Sequence, residues 1–192
     1  LEFLENRINQ SGIVYCLSQK LTEQCSEFLR SKGFDAYPFH AGLDTQVKID
    51  TQDKFMTEEN VVVCATIAFG MGIDKADVRY IAHVSLPSSM EAFYQEIGRA
   101  GRDGLEADTL LIFGLQDLFQ RKRFIDMSDA HDSFKIKEHK RLDALIAYCD
   151  SATCRRQTLL SYFKETCETC GKCDNCLNPP QMIEGTGYAQ MV

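Results

Sequence analysis

Two clusters in this chain carry chemistry by residue type and spacing. In Tyr94-Gln95-Glu96-Ile97-Gly98-Arg99-Ala100-Gly101-Arg102-Asp103-Gly104, two arginines stand three residues apart among three glycines. On a helical or near-helical turn that spacing puts both guanidinium forks on one side, and the glycines remove bulk, so backbone or a polyanion can approach closely. Arginine is permanently charged, bidentate toward phosphate and able to stabilise charge on a transferred phosphoryl group, so Arg99 and Arg102 suit a triphosphate. The bland alternative is a flexible loop with solvated arginines. In the second cluster, Cys170-Gly171-Lys172-Cys173-Asp174-Asn175-Cys176, three thiols at successive two-residue gaps let a short turn wrap a tetrahedral ion. The fourth ligand is Cys154 or Cys167. Four thiolates from 167–176 alone would strain a compact site, whereas Cys154 would let the metal staple a helix to the loop. Cys154 is therefore expected, with Cys167 in reserve. Zinc fits better than iron–sulfur, because the ferredoxin run needs a last three-residue gap and a following proline. Four thiolates leave no open position, so the site is expected to be structural.

Weaker signals lie in two other loops. Thr66-Ile67-Ala68-Phe69-Gly70-Met71-Gly72-Ile73-Asp74-Lys75 begins like a dinucleotide fingerprint but has Lys75 where that pattern needs glycine. Asp74 there either accepts from a ribose hydroxyl or caps the next segment. His40-Ala41-Gly42 leads into a helix whose N-terminal amides can bind phosphate, although a lone histidine is more often structural. His83, His131 and His139 lack metal-ligand spacing, and no special role is expected of them. The chain has no G-x-x-x-x-G-K-[ST] phosphate loop, no D-E pair ending a strand for magnesium, no H-E-x-x-H and no G-x-S-x-G. These residues by themselves are not expected to bind and split a nucleotide in the usual way.

The elements that must position these residues alternate in type. Strands are expected at 13–17, 36–39, 61–65, 78–84 and 109–113, with helices at 19–32, 45–57 and 89–97 between them. Leu21, Cys25, Phe28 and Leu29 are the expected core residues of the first of these helices, and Val47, Ile49, Phe55 and Met56 those of the second. Val61 to Ala65 is continuously apolar, as in a strand covered on both faces. The pattern predicts an α/β fold, a parallel sheet with helices on both faces, whose ligands sit at the carboxyl ends of the strands. From Leu115 strand signals stop, and helices are expected at 115–127, 134–149 and 153–164. Asn178-Pro179-Pro180 ends this region, and the residues after it read as a severed linker.

The 192 residues suffice for one domain with a small appendage, and the longest nearly apolar stretch, Val61 to Ile73, is too short to span a bilayer. The chain opens on Leu1 without a visible secretory signal and reads as a piece of something longer. Nine cysteines without such a signal suggest reduced thiols plus a metal site in a reducing, cytosolic setting. Cys16, Cys25, Cys64 and Cys149 are expected to pack as small hydrophobes. The net charge of -7 argues against nucleic acid, but residues 120–164 carry ten basic and six acidic side chains. That segment is the one basic stretch, and it is either a solvated face or a backbone contact for nucleic acid.

In series, Val14-Tyr15-Cys16-Leu17-Ser18, His40-Ala41-Gly42, Ala65 to Lys75, Gln95 to Gly104, and Cys154-Arg155-Arg156 with the later cysteines closely resemble the RecQ family of superfamily 2 DNA helicases. The resemblance runs from about Gly12 to Pro180, with the motifs in the family's order. It implies a second RecA-like lobe at 1–119, a helical zinc-binding subdomain at 120–180, and a linker at 181–192 toward a winged-helix domain. It further implies an ATP-dependent 3′-5′ DNA helicase of recombination and repair, working with a first RecA-like lobe, ATP, Mg2+ and structural zinc on single-stranded and partly duplex DNA. Such a protein would sit in a bacterial cytoplasm (nucleoid) or a eukaryotic nucleus, and not in a membrane. Carried over by residue, Arg99 and Arg102 face the γ-phosphate, Arg102 being the first choice for the arginine finger. Asp74, Gly72 and Gln95 belong to the nucleotide side; Ser18, His40, Thr66 and Arg155 to the DNA side. Cys154, Cys170, Cys173 and Cys176 match the zinc ligands. Ala76 departs from the proline common in relatives and should affect loop stiffness only. The competing reading is a zinc-stapled DNA- or protein-binding module without an ATPase role.

Overall fold

The computed structural model describes residues 2–70 and 72–181. A short helix, α1 (Glu2–Glu5), precedes an alternating series: β1 (Gly12–Tyr15), α2 (Gln19–Ser31), β2 (Asp35–Phe39), α3 (Thr45–Thr57), β3 (Val61–Ala65), β4 (Tyr80–His83), α4 (Met90–Ile97) and β5 (Asp108–Leu111). Four helices follow: α5 (Leu115–Asp126), α6 (Asp132–Asp150), α7 (Arg155–Tyr162) and α8 (Asp174–Leu177). The expected linker at 181–192 lies outside the described residues apart from Gln181. The chain divides into two compact units at His139/Lys140, within α6. Among the described residues, no helix is long and apolar enough to cross a membrane.

The five strands are parallel, in the order β2-β3-β1-β4-β5. The expected fold class is therefore what forms. Because side chains alternate along a strand, Ile13, Tyr15, Val61, Val63, Ala65 and Ile81 face one core with Phe55 of α3. Val14, Cys16, Val62, Cys64, Tyr80 and Ala82 face the other with Leu29 of α2. Both faces are covered, so β1, β3 and β4 are buried throughout. Ser18, Asp44 and Ser89 accept from backbone amides at the starts of α2, α3 and α4, which fixes where each helix leaves its loop.

Helix packing differs from expectation in detail. In α3 the buried residues are Thr51 and Phe55, one turn apart on a single stripe. Val47, in the first turn, and Ile49, off that stripe, remain 45% and 47% exposed, and Met56 is also exposed. In α2 Phe28 is exposed, while Leu29 is buried and Leu21 and Cys25 pack against its cluster. Thr22 and Ser26 lie buried there because each hydroxyl donates to a carbonyl three residues back, which removes the cost of an unpaired polar group. Cys16 and Cys64 are buried as expected, Cys25 and Cys149 only partly.

Candidate functional site

The loops that follow β1, β2 and β4, the long loop from β3 to β4, and the turn after α4 form the candidate site. Backbone bonds lace them together. The Thr66 amide donates to the Phe39 carbonyl at 3.1 Å and the Val84 amide to that of Tyr15 at 3.1 Å. The Gly101 amide donates to Val78 at 3.0 Å. Gly101 has φ +65, and a Cβ there would lie 2.8 Å from the Leu105 carbonyl, so only glycine makes this turn without strain.

Both arginines fold onto the loop after β3. Arg99 donates through Nη1 to the Gly70 carbonyl at 2.5 Å. Its guanidinium lies so close that a Cβ on Gly70 would meet Nη2 at 2.5 Å. Arg102 donates through Nη1 to Asp74 Oδ1 at 2.5 Å and to the Ile73 carbonyl at 3.2 Å. The Asp74 side chain is 82% exposed and that of Arg102 37%, so water weakens this ion pair. Gly72, at φ +85, is exposed on the same loop, and Gln95 is exposed on α4. The structure thus brings Arg99, Arg102, Asp74 and Gly72 together around one loop.

Two cations that spacing did not single out hold this loop system. Lys75, nearly buried, donates to the Glu58 carbonyl at 3.1 Å and pairs with Asp77 at 3.2 Å, tying the β3 loop to the end of α3. Arg79 pairs with Asp103 at 2.5 Å and donates to the carbonyls of Ala76, Asp77 and Glu106. That contact holds the Asp103 carboxyl below the ordinary carboxylate range. A third feature was missed outright. His83, expected to have no role, is fully buried at the end of β4, with Nε2 2.7 Å from the buried Glu96 carboxylate.

Of the expected strand-contacting residues, Ser18 is exposed and uses its hydroxyl as the α2 cap, accepting from the Leu21 amide at 3.2 Å. Thr66 is half-buried at the end of β3. His40 is buried, its Nε2 3.4 Å from Glu23 Oε1, and neither ring nitrogen has a hydrogen-bond partner. The basic segment is partly committed to structure. Arg121 donates to the Leu86 carbonyl at 2.8 Å, and burial pushes its pKa down. Lys135 donates to the Asp126 carbonyl at 2.8 Å.

In the second unit, Cys154, Cys170, Cys173 and Cys176 place their sulfurs within 4.8 Å of one another. Cys154 to Cys173 and Cys170 to Cys176 are each 4.0 Å. Four thiolates around a zinc ion at about 2.3 Å would stand about 3.8 Å apart, so the set fits a tetrahedral site with little movement. Cys154 and Cys173 cap α7 and α8, and Cys176 lies within α8. The Cys170 amide donates to the Cys154 sulfur at 3.3 Å and the Arg155 amide to Cys173 at 3.4 Å. Burial opposes ionisation of Cys154, but the amides of Cys170 and Gln157 and the thiols of Cys170 and Cys176 outweigh it and lower its pKa to about 6. Cys176 is pushed up to about 12, first by its contact with Cys173 and then by burial. Cys167, the reserve ligand, stands outside the group.

Arg155 spends its guanidinium inside this unit. It donates to both Asp174 oxygens at 2.9 to 3.2 Å and to the carbonyls of Tyr148 and Cys149 at 2.8 and 2.9 Å. It therefore clamps the cysteine loop to the end of α6, while Arg156 beside it is exposed.

Comparison with known proteins finds a family match in each half of the chain. Residues 1–104 match the helicase conserved C-terminal domain and residues 115–177 the RecQ zinc-binding family. The chain is similar to the ATP-dependent DNA helicase RecQ of Haemophilus influenzae, 43% identical over 184 residues, covering 95% of this chain and 30% of the relative. It is also similar to that of Bacillus subtilis, 36% identical over 192 residues, covering 100% of this chain and 32% of the relative. The chain thus spans about a third of the length of these curated relatives. A DEAD box protein from Methanococcus jannaschii shares the fold, with a TM-score of 0.51 and 24% identity over 66% of this chain and 36% of that one.

Proposed function

The chain belongs to the RecQ family of helicases, and from that premise we propose that it is the C-terminal half of an ATP-dependent 3′-5′ DNA helicase motor acting in recombination and repair. The observation that carries this reading is the placement of Arg99 and Arg102, in the turn after α4, folded together onto the loop between β3 and β4 beside Asp74. ATP with Mg2+, held by a first RecA-like lobe, would present its γ-phosphate to this pair of arginines. Arg102, partly exposed and held by a screened ion pair, is free to exchange Asp74 for phosphate. That exchange draws the two lobes together, and loss of the γ-phosphate on hydrolysis releases them. Asp74, once freed, would face the nucleotide sugar with Gly72 on the same loop, and Gln95 of α4 would approach the nucleotide separately.

Ser18, Thr66 and the His40 turn would meet the phosphates of one DNA strand, so alternate closing and opening moves the protein along it. Exposed basic residues such as Arg156 add affinity that depends on salt and not on sequence. The functional division lies near 119/120, where the RecA-like part gives way to the helices bearing the zinc site. Zinc, held by Cys154, Cys170, Cys173 and Cys176, supplies rigidity rather than chemistry. DNA, a first lobe and a winged-helix domain are the proposed partners, and a nucleoid or nuclear location follows from the substrate.

The test is DNA-stimulated ATP hydrolysis by a chain in which a phosphate-loop lobe precedes these residues, with and without Arg102→Ala. Turnover should fall by about 10³-fold or more with DNA binding retained, and the 192 residues alone should hydrolyse no ATP. An unchanged rate would move the finger to Arg99 or favour a zinc-stapled binding module.

A further inference from the structure

Beneath the two arginines lies a buried polar assembly that the proposed motor does not yet use. Tyr15, at the end of β1, is 4% exposed, and its hydroxyl donates to the Phe69 carbonyl at 3.2 Å. Phe69 is the residue before Gly70, whose carbonyl accepts from Arg99. The Arg99 guanidinium lies beside the same phenol, whose pKa burial pushes up against the pull of that cation. The Tyr15 ring stacks on the His83 imidazole, with centroids 5.2 Å apart and planes 21° apart. His83 in turn binds Glu96, in the last turn of α4, three residues before Arg99 in the turn that follows.

The contacts close a circuit: α4 to β4, β4 to β1, β1 to the β3 loop, and the β3 loop back to Arg99. A circuit of buried polar groups is costly to form unless each link is satisfied, and once formed it leaves its members little freedom. Arg99 Nε has no partner, so the guanidinium is fixed by its neighbours on either side rather than by saturation of its donors. Removing the Tyr15 hydroxyl would free the Phe69 carbonyl and one flank of Arg99 while leaving the ring packing intact.

We infer that Tyr15, backed by His83 and Glu96, is a positioning unit that aims Arg99 for phosphoryl transfer and couples the β1 end of the DNA-facing surface to the turn that carries the arginines. This rests on the motor reading above. Tyr15 touches neither nucleotide nor DNA in this scheme and acts only through Arg99 and the loop.

Tyr15→Phe in a DNA-stimulated ATPase chain carrying both lobes separates this role from a structural one. A misplaced catalytic group lowers turnover without weakening substrate binding, so kcat should fall by about 10- to 100-fold, with KM for ATP and DNA affinity within about twofold. Melting temperature and zinc content, measured on the same samples, should match those of the unmodified protein. Glu96→Ala should reproduce the kcat loss, and Glu96→Gln, which keeps a hydrogen bond to His83, should restore most of it. A kcat within twofold of unmodified for Tyr15→Phe, or a raised KM at unchanged kcat, would overturn the inference. So would equal rates for Glu96→Ala and the unmodified protein, the deciding comparison if Tyr15→Phe folds poorly. An unmodified two-lobe chain that hydrolyses no ATP would overturn the motor reading and this inference with it. An active one indifferent to Tyr15→Phe overturns the inference alone.

Discussion

Replacing Arg155 by alanine separates two roles for this residue, a phosphate contact or a brace for the cysteine loop. The side chain makes two bonds to the carbonyls of Tyr148 and Cys149 and a fork to Asp174. Asp174 is 64% exposed, so the fork is screened by water and counts for a fraction of a buried pair. The carbonyl bonds come from a charged donor and count for more, which puts the total at about 2 to 3 kcal/mol. Only the folded loop offers the four sulfurs together, so part of this loss falls on metal affinity. Outer partners of metal ligands typically contribute 10- to 100-fold. Competition with a chromogenic zinc chelator should therefore show Arg155→Ala binding zinc about 10- to 100-fold more weakly. Arg155→Lys, which keeps the charge and loses the fork, should behave more like alanine than arginine. Unchanged zinc affinity would refute this reasoning. If the salt dependence of DNA binding fell by about one phosphate at the same time, Arg155 would be a DNA contact.

Two further changes test the lobe. A Cβ on Gly12 would lie 2.1 Å from the ring of Tyr80, which is fully buried. Gly12→Ala should therefore cost about 3 kcal/mol, the upper end of overpacking, lowering the melting temperature by about 6 to 12 °C; a shift under about 2 °C would contradict the contact. The Asp103 carboxyl, held by Arg79 below its ordinary value of 3.8, is a group whose folded pKa is depressed. Its stabilisation is present above the unfolded pKa and lost as pH falls through the folded one. Melting curves of unmodified protein and Asp103→Asn should therefore differ at about pH 5 and converge toward about pH 2. A constant gap across that range would show that the Arg79 pair is not its source.

The α/β class and the order of elements were legible because both-face burial leaves an unbroken apolar run, as at Val61 to Ala65, between stretches whose apolar residues recur at helical spacing. Spacing favoured Cys154 over Cys167 without deciding between them; the fold decides, because it brings the Cys154 sulfur to the loop that carries Cys170, Cys173 and Cys176. The buried faces of α2 and α3 were less so. Thr22, Ser26 and Thr51 fill core positions that a hydrophobicity pattern assigns to Phe28, Val47 and Ile49. A hydroxyl that bonds its own helix can be buried at small cost, and composition does not reveal that option.

His83 shows why the circuit around Arg99 escaped a reading by spacing. Metal and nucleophile motifs are short because their members lie on one turn or loop, but Tyr15, His83 and Glu96 come from β1, β4 and α4. Only the pairing of β1 with β4, which sets Tyr15 opposite His83, makes them neighbours. Ion pairs such as Lys75 with Asp77 are local and visible in principle, yet the Lys75 bond to the Glu58 carbonyl depends on where α3 ends. Residues that touch a ligand tend to be named by a loop's sequence; those that hold the loop are named by the sheet's register. In this lobe the register sets the ends of β1 and β4 side by side, with His83 bonded to Glu96 in the last turn before Arg99. Any change that slips that register should disturb Arg99 before it disturbs the cysteine site, because none of the four thiols lies on the sheet.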